Sequence, residues 1–187
     1  MKSFYQRNDN KIKDDEYYFR NLDRSKYFQE LLEKWDPIKW EDKNKRSELV
    51  LRDSFLKFLE SKEPYMEHYK EYILENGRRA DIAMIYRTEE KEEIKHFVEF
   101  KYGLDSTGTK GRLNDQIEKY YDQKVRHVYV VIIEDDAREV KEELINDLKK
   151  KYSKLTFKIP QKFGFKGIHL YVKRLKKKGK NSVARYF

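Results

Sequence analysis

Residues 69–102 read YKEYILENGRRADIAMIYRTEEKEEIKHFVEFKY. Asn76-Gly77 is the strongest short hairpin signal in the chain, because a tight two-residue turn needs positive φ, which Asn and Gly adopt at low cost. It separates two extended runs, Tyr69–Leu74 and Arg79–Arg87, the second carrying Ile82, Ala83, Met84, Ile85 and Tyr86. A charged connection, Thr88–Glu93, leads to a third run over Lys95–Tyr102. Three strands in a meander follow. With the second turn centred near Glu90, paired positions sum to about 180, so Asp81 falls opposite Glu99. Lys101 shares the face of Glu99, because strand side chains alternate with period two.

Outward from the meander the pattern becomes helical. Ser47–Ser61 reads as a helix with Ser47 as its cap and Leu51, Phe55, Phe58 and Leu59 as its apolar stripe. Glu48 falls on that stripe, an unusual place for a carboxylate unless it serves a site or the positive end of the helix dipole. Past the meander, Gly103–Gly111 reads as a loop, Leu113–Gln123 as a helix and Val125–Ile133 as a strand inside the sheet, continuous in apolar residues. Arg138–Tyr152 is a further helix, and Leu155–Ile159 and Ile168–Val172 are strands. The fold class is α/β, a mixed sheet flanked by helices whose core runs helix, three-stranded meander, helix, strand. Residues 1–45 form a charged, aromatic arm with one helix from Asp23 or Ser25 to Trp35, residues 46–172 the domain proper, and residues 173–187 a basic tail.

The 187 residues carry 43 Lys and Arg against 34 Asp and Glu. The excess is concentrated at the end, where Lys173, Arg174, Lys176, Lys177, Lys178, Lys180 and Arg185 occur with no acidic residue among them. Such a run suits a phosphate backbone, since each neutralised phosphate releases a counterion. The absence of cysteine excludes disulfides, thiolate zinc and iron–sulfur centres. No apolar stretch approaches the roughly 20 residues of a membrane span, and the first residues lack the apolar region of a secretory signal. The expectation is a cytoplasmic protein with no membrane partner.

Two facing carboxylates beside a lysine are costly unless a cation neutralises them, and hard oxygen ligands favour Mg²⁺ or Mn²⁺. The tripeptide Glu-x-Lys alone is common here, at Glu41/Lys43, Glu60/Lys62, Glu89/Lys91, Glu93/Lys95 and Glu139/Lys141. Only Glu99-Phe100-Lys101 lies within an apolar strand and ends opposite an aspartate. Gln116 and Tyr120, four apart on the next helix, share a face and can reach the same place. The run Gly103–Lys110 has the order Gly-Thr-Lys at its end and is not a Walker loop. His68, His96, His127 and His169 show no metal spacing, and strand or surface positions are expected for them.

Together these residues resemble the PD-(D/E)XK nuclease superfamily, with its restriction-endonuclease-like fold, and in particular the RecB-type branch with a Gln-x-x-x-Tyr helix. The resemblance spans about residues 47–133. It implies a metal, Mg²⁺ or Mn²⁺, held by Asp81, Glu99, Phe100 and Glu48, with Lys101 assisting the attacking water. It further implies that Gln116 and Tyr120 contact DNA or orient the site. Ala80 departs from the family pattern, which has proline there, and the missing cysteines argue against the iron–sulfur subgroup. The implied reaction is hydrolysis of DNA phosphodiester bonds. Lys110 and Arg112, with Ser106, Thr107 and Thr109 near the helix start, are placed to receive phosphate, as are the tail residues Lys173, Arg174, Lys176, Lys177, Lys178 and Lys180. Two alternatives remain at this point: a non-catalytic nucleic-acid-binding protein on the same fold, and a homodimeric, Holliday-junction-resolvase-like endonuclease.

Overall fold

The computed structural model describes residues 24–37, 47–64, 66–87, 93–120, 123, 125–155, 167–175 and 183–186. Its elements are α1 (Arg24–Lys34), α2 (Glu48–Lys62), β1 (Glu67–Ile73), β2 (Arg79–Arg87), β3 (Glu93–Tyr102), α3 (Thr107–Glu118), β4 (His127–Glu134), α4 (Glu142–Leu155), β5 (Gly167–Arg174) and β6 (Val183–Tyr186). The six strands form one mixed sheet in sequence order. β1, β2 and β3 are the antiparallel meander, β3, β4 and β5 run parallel, and β6 pairs antiparallel on β5.

The meander follows from its turn chemistry. Gly77 takes φ +77°, Asn76 Oδ1 accepts the Arg78 N–H at 3.1 Å, and the Leu74 N–H bonds the Arg78 carbonyl at 2.8 Å. The β2–β3 register is the expected one, with Ile82 opposite Val98 and Arg87 opposite Glu93. The intervening residues 88–92 lie outside the described residues. Parallel strands need crossovers, supplied here by α3 between β3 and β4 and by α4 between β4 and β5. Two successive crossovers that advance the same way with the same hand put both helices on one face.

That face is packed by Leu113, Ile117 and Tyr120 with Leu144, Ile145, Leu148 and Tyr152, set against Ala83, Phe97, Val128, Val130, Ile132 and Val172. The opposite face receives Phe28, Leu31, Leu32 and Trp35 of the α1 segment and Leu51, Phe55 and Leu59 of α2, against Ile82, Met84, Val98, Phe100, Tyr129 and Tyr171. Each such side chain contributes about 1.5–3 kcal/mol when fully buried. The described part of the arm is therefore one layer of the core: Phe28 stacks on Tyr129 with centroids 4.0 Å apart, and the Trp35 indole donates to Ser54 Oγ at 3.2 Å. All eight β4 residues are buried, as expected of an interior strand.

Several boundaries differ from the sequence reading. α3 starts at Thr107, inside the stretch read as a loop. Gly108 and Gly111 each disfavour helix by about 1 kcal/mol, but Ser106 Oγ caps the Thr109 N–H at 3.2 Å and buried Leu113 and Ile117 anchor the segment. α4 starts later than expected and ends at Leu155, so the strand expected over Leu155–Ile159 begins on a helical residue and otherwise lies outside the described residues. β5 extends through Arg174, and β6 lies within what was read as a tail. Among the described residues no helix is long and apolar enough to cross a membrane.

Candidate active site

The site lies where β2 begins and β3 ends, on the face covered by α3. The N–H of Phe100 donates to Asp81 Oδ2 at 2.8 Å, so the aspartate is pinned to the neighbouring strand by its side chain. Glu99 is 1% exposed, and both its oxygens are engaged. Tyr120 donates its hydroxyl to Oε2 at 2.5 Å, and Lys119 Nζ stands 3.1 Å from Oε1 and 3.0 Å from Oε2. Burial, and next the charge of Asp81, push the Glu99 carboxyl up to about 7. Asp81 is raised too, by burial first and by the Glu48 charge, against the lowering effect of the Phe100 N–H. Three acids therefore influence one another across this end of the sheet.

Glu48 approaches from the other side of the sheet. Ser47 caps α2 by accepting the Val50 N–H at 3.2 Å. This places Glu48 in the first turn, where its Oε2 accepts the Tyr102 N–H at 3.1 Å and lies 3.4 Å from Lys101 Nζ. It is half-buried at the end of β3 rather than on the core stripe. Gly103, with φ +77°, then turns the chain away toward α3. A Cβ there would come within 3.1 Å of Arg138 Cβ.

Sequence reasoning brought Asp81, Glu99, Tyr120, Glu48 and Lys101 to one region, and the structure places all of them there. Their pairing differs from the expected one: Lys101 faces Glu48, while the lysine on Glu99 is Lys119. Lys119 was missed. So was Arg52, which is 4% exposed; its guanidinium lies 3.3 Å from Asp53, 3.1 Å from Glu71 and 3.9 Å from Asp81. Arg52 follows Glu48 by one helical turn and Lys119 precedes Tyr120, but neither spacing alone says where the side chain is aimed. Glu71 was missed as well. It sits on β1 with φ +51°, an uncommon conformation for a non-glycine residue, at the point where the β1–β2 pairing skips Asp81.

Tyr120 is 1% exposed and its hydroxyl is engaged by Glu99. Gln116 has its Oε1 buried without a hydrogen-bond partner among the described residues. Phe100 packs its ring on Trp35 and Phe55 on the opposite face, so its side chain lies away from Asp81 and Glu99. Of the expected phosphate contacts, Lys110 is paired with Asp147 at 2.7 Å and Arg112 is exposed. Lys173 requires correction. It is fully buried, and its ammonium donates to the carbonyls of Leu32, at 2.5 Å, and Trp35 at the end of α1. Arg174 forms a two-pronged pair with Glu134 at 2.8 and 2.9 Å. Lys176, Lys177, Lys178 and Lys180 lie outside the described residues.

No protein-family model, curated protein or solved structure matches this chain. Three carboxylates and a strand main chain form a hard-oxygen donor set suited to Mg²⁺ or Mn²⁺. The charge shared by Asp81 and Glu99 is one that such an ion would relieve. Among the described residues, no three His, Asp or Glu side chains are already arrayed around a single point as ligands. The donor set fits, and the carboxylates would have to turn from their present partners to use it.

All four histidines lie on strands. Three meet on the face away from Asp81 and Glu99: His127 Nδ1 is 2.8 Å from His169 Nε2, and the His96 and His127 rings stack at 5.2 Å.

Proposed function

We propose that the protein is a metal-dependent nuclease that hydrolyses DNA phosphodiester bonds, on a restriction-endonuclease-like core of the PD-(D/E)XK type. The single observation that carries this reading is the pair Asp81 and Glu99. They are adjacent acids at the end of a meander, both held toward the protonated form by burial, with Asp81 also raising Glu99. Strained electrostatics of this kind cluster at functional sites. In an open α/β sheet, the carboxyl ends of parallel strands are the usual place for ligands.

Asp81, Glu99, Glu48 and the main chain of Phe100 would hold Mg²⁺ or Mn²⁺. When bound, the ion supplies a Lewis acid that polarises the scissile phosphate and lowers the pKa of the attacking water. Tyr120 and Lys119 fix the rotamer of Glu99, and Arg52 balances Asp81 and Glu71. Lys101 is half-buried beside Glu48, where an ammonium can hold an attacking water or a phosphate oxygen.

One observation favours a second reading, a nucleic-acid-binding protein that does not cut. Both Glu99 oxygens are already taken by Lys119 and Tyr120. Incubation of end-labelled DNA with Mn²⁺ separates the two. Cutting by the native protein that disappears in Glu99→Ala supports the nuclease; binding without cutting in both supports the second reading. Running linear and four-way-junction DNA side by side, with sizing in solution, tests a dimeric resolvase in the same experiment.

A further inference from the structure

Resting on the nuclease reading, we propose that Lys119 is a built-in counterion that a divalent metal must displace from Glu99, so that metal and nucleic acid bind together rather than one after the other. Each acid of the site already faces an internal cation: Glu48 faces Lys101 at 3.4 Å, Asp81 faces Arg52 at 3.9 Å and Glu99 faces Lys119 at 3.0 Å. Arg52 is shared with Asp53 and Glu71, whose other cations are Lys70 and Arg79, so the wider cluster holds five acids and five cations. A divalent ion would leave it with two positive charges in excess, in surroundings where burial strengthens repulsion. Phosphodiester groups, one negative charge each, restore the balance.

The three contacts are not equally firm. Asp81 has the longest ion pair and a side chain 21% exposed, so it is open to an incoming ion. Glu99 is sealed: its carboxylate is 1% exposed and the Lys119 side chain 8%. Lys119 is also held away from solvent by a second acceptor, the Arg79 carbonyl. An ammonium has three donors. On losing Glu99 it retains the Arg79 carbonyl and needs new acceptors close by, and the oxygens of a phosphodiester are acceptors that arrive with the substrate. Toward the metal, Lys119 thus acts only through Glu99.

The test is calorimetric titration of the full chain with Mn²⁺, with and without a short phosphorothioate DNA duplex, for the native protein and Lys119→Met. The native protein is expected to bind Mn²⁺ at least tenfold more tightly when the duplex is present. Lys119→Met is expected to bind Mn²⁺ alone at least tenfold more tightly than the native protein and to gain less than threefold from the duplex. Should Lys119→Met lose its fold because Glu99 is left without its cation, Lys119→Gln is expected to show the same tightening. Equal native affinity with and without duplex overturns the proposal, as does weaker Mn²⁺ binding by both variants. No Mn²⁺ uptake by any protein under any condition would instead remove the nuclease reading on which the proposal rests.

Discussion

A carboxylate as deeply placed as Glu99 makes the stability of the protein depend on pH in an unusual direction. Its folded pKa, about 7, lies above the ordinary 4.5, so between these values the native state binds more protons than the unfolded chain. The contribution of this group is then fully present below 4.5 and is lost as pH rises through about 7. The difference is roughly 3 kcal/mol at 1.36 kcal/mol per unit, and Asp81 shifts in the same direction. Urea denaturation with a chelator present, at pH 5 and pH 7.5, is expected to show this fall in the native protein and a much smaller one in Glu99→Gln. Lys101→Ala is expected to abolish turnover while leaving DNA affinity within about twofold, measured by gel shift beside the cutting assay. At this scale Asp81, Glu99 and Lys101 were legible because hairpin register and period-two alternation place them. Arg52 and Lys119 were not. Arg52 sits between Leu51 and Asp53 and reads as a helix edge, and the aim of Lys119 depends on α3 ending at Glu118.

Among the elements, β2, α2 and the interior strand β4 lie close to where periodicity and turn residues put them, and the failures have physical causes. The start of α3 was hidden by two glycines that a serine cap and buried leucine and isoleucine side chains outweigh. The reach of β5 was hidden because Lys173 reads as solvated. Its long stem instead crosses the core and delivers the ammonium to the carbonyl end of α1, where unsatisfied acceptors and the helix dipole receive it. Burial lowers this amine to about 8, yet its hydrogen bonds fasten α1 to the sheet. Lys173→Met is expected to destabilise the protein by about 3 kcal/mol, since the α1 carbonyls would be buried without donors. A red shift of tryptophan emission would accompany it as Trp35 loosens. Unchanged stability would mean that α1 is held by its apolar face alone.

For the molecule as a whole, the α/β class and the mixed sheet with helices on both sides were readable from the order of elements. The role of the arm was not, because a single amphipathic helix does not reveal which surface it covers. The basic terminal run also changes meaning. Lys173 and Arg174 belong to the sheet and β6 pairs with β5, so truncation at Lys173 would damage the fold. The informative variant replaces Lys176, Lys177, Lys178 and Lys180 with glutamine. DNA affinity is expected to fall, and the slope of log affinity against log salt to drop by up to about 3.6 if these side chains meet phosphates. An unchanged slope removes them from the contact. The left-handed turn at Glu71 has a further consequence for the whole particle. β1 is a margin of the sheet, and there its pairing with β2 is interrupted between Lys70 and Tyr72. A visiting chain finds no long straight template to zip against, so crowded molecules should stay dispersed where an unkinked border would invite fibrils.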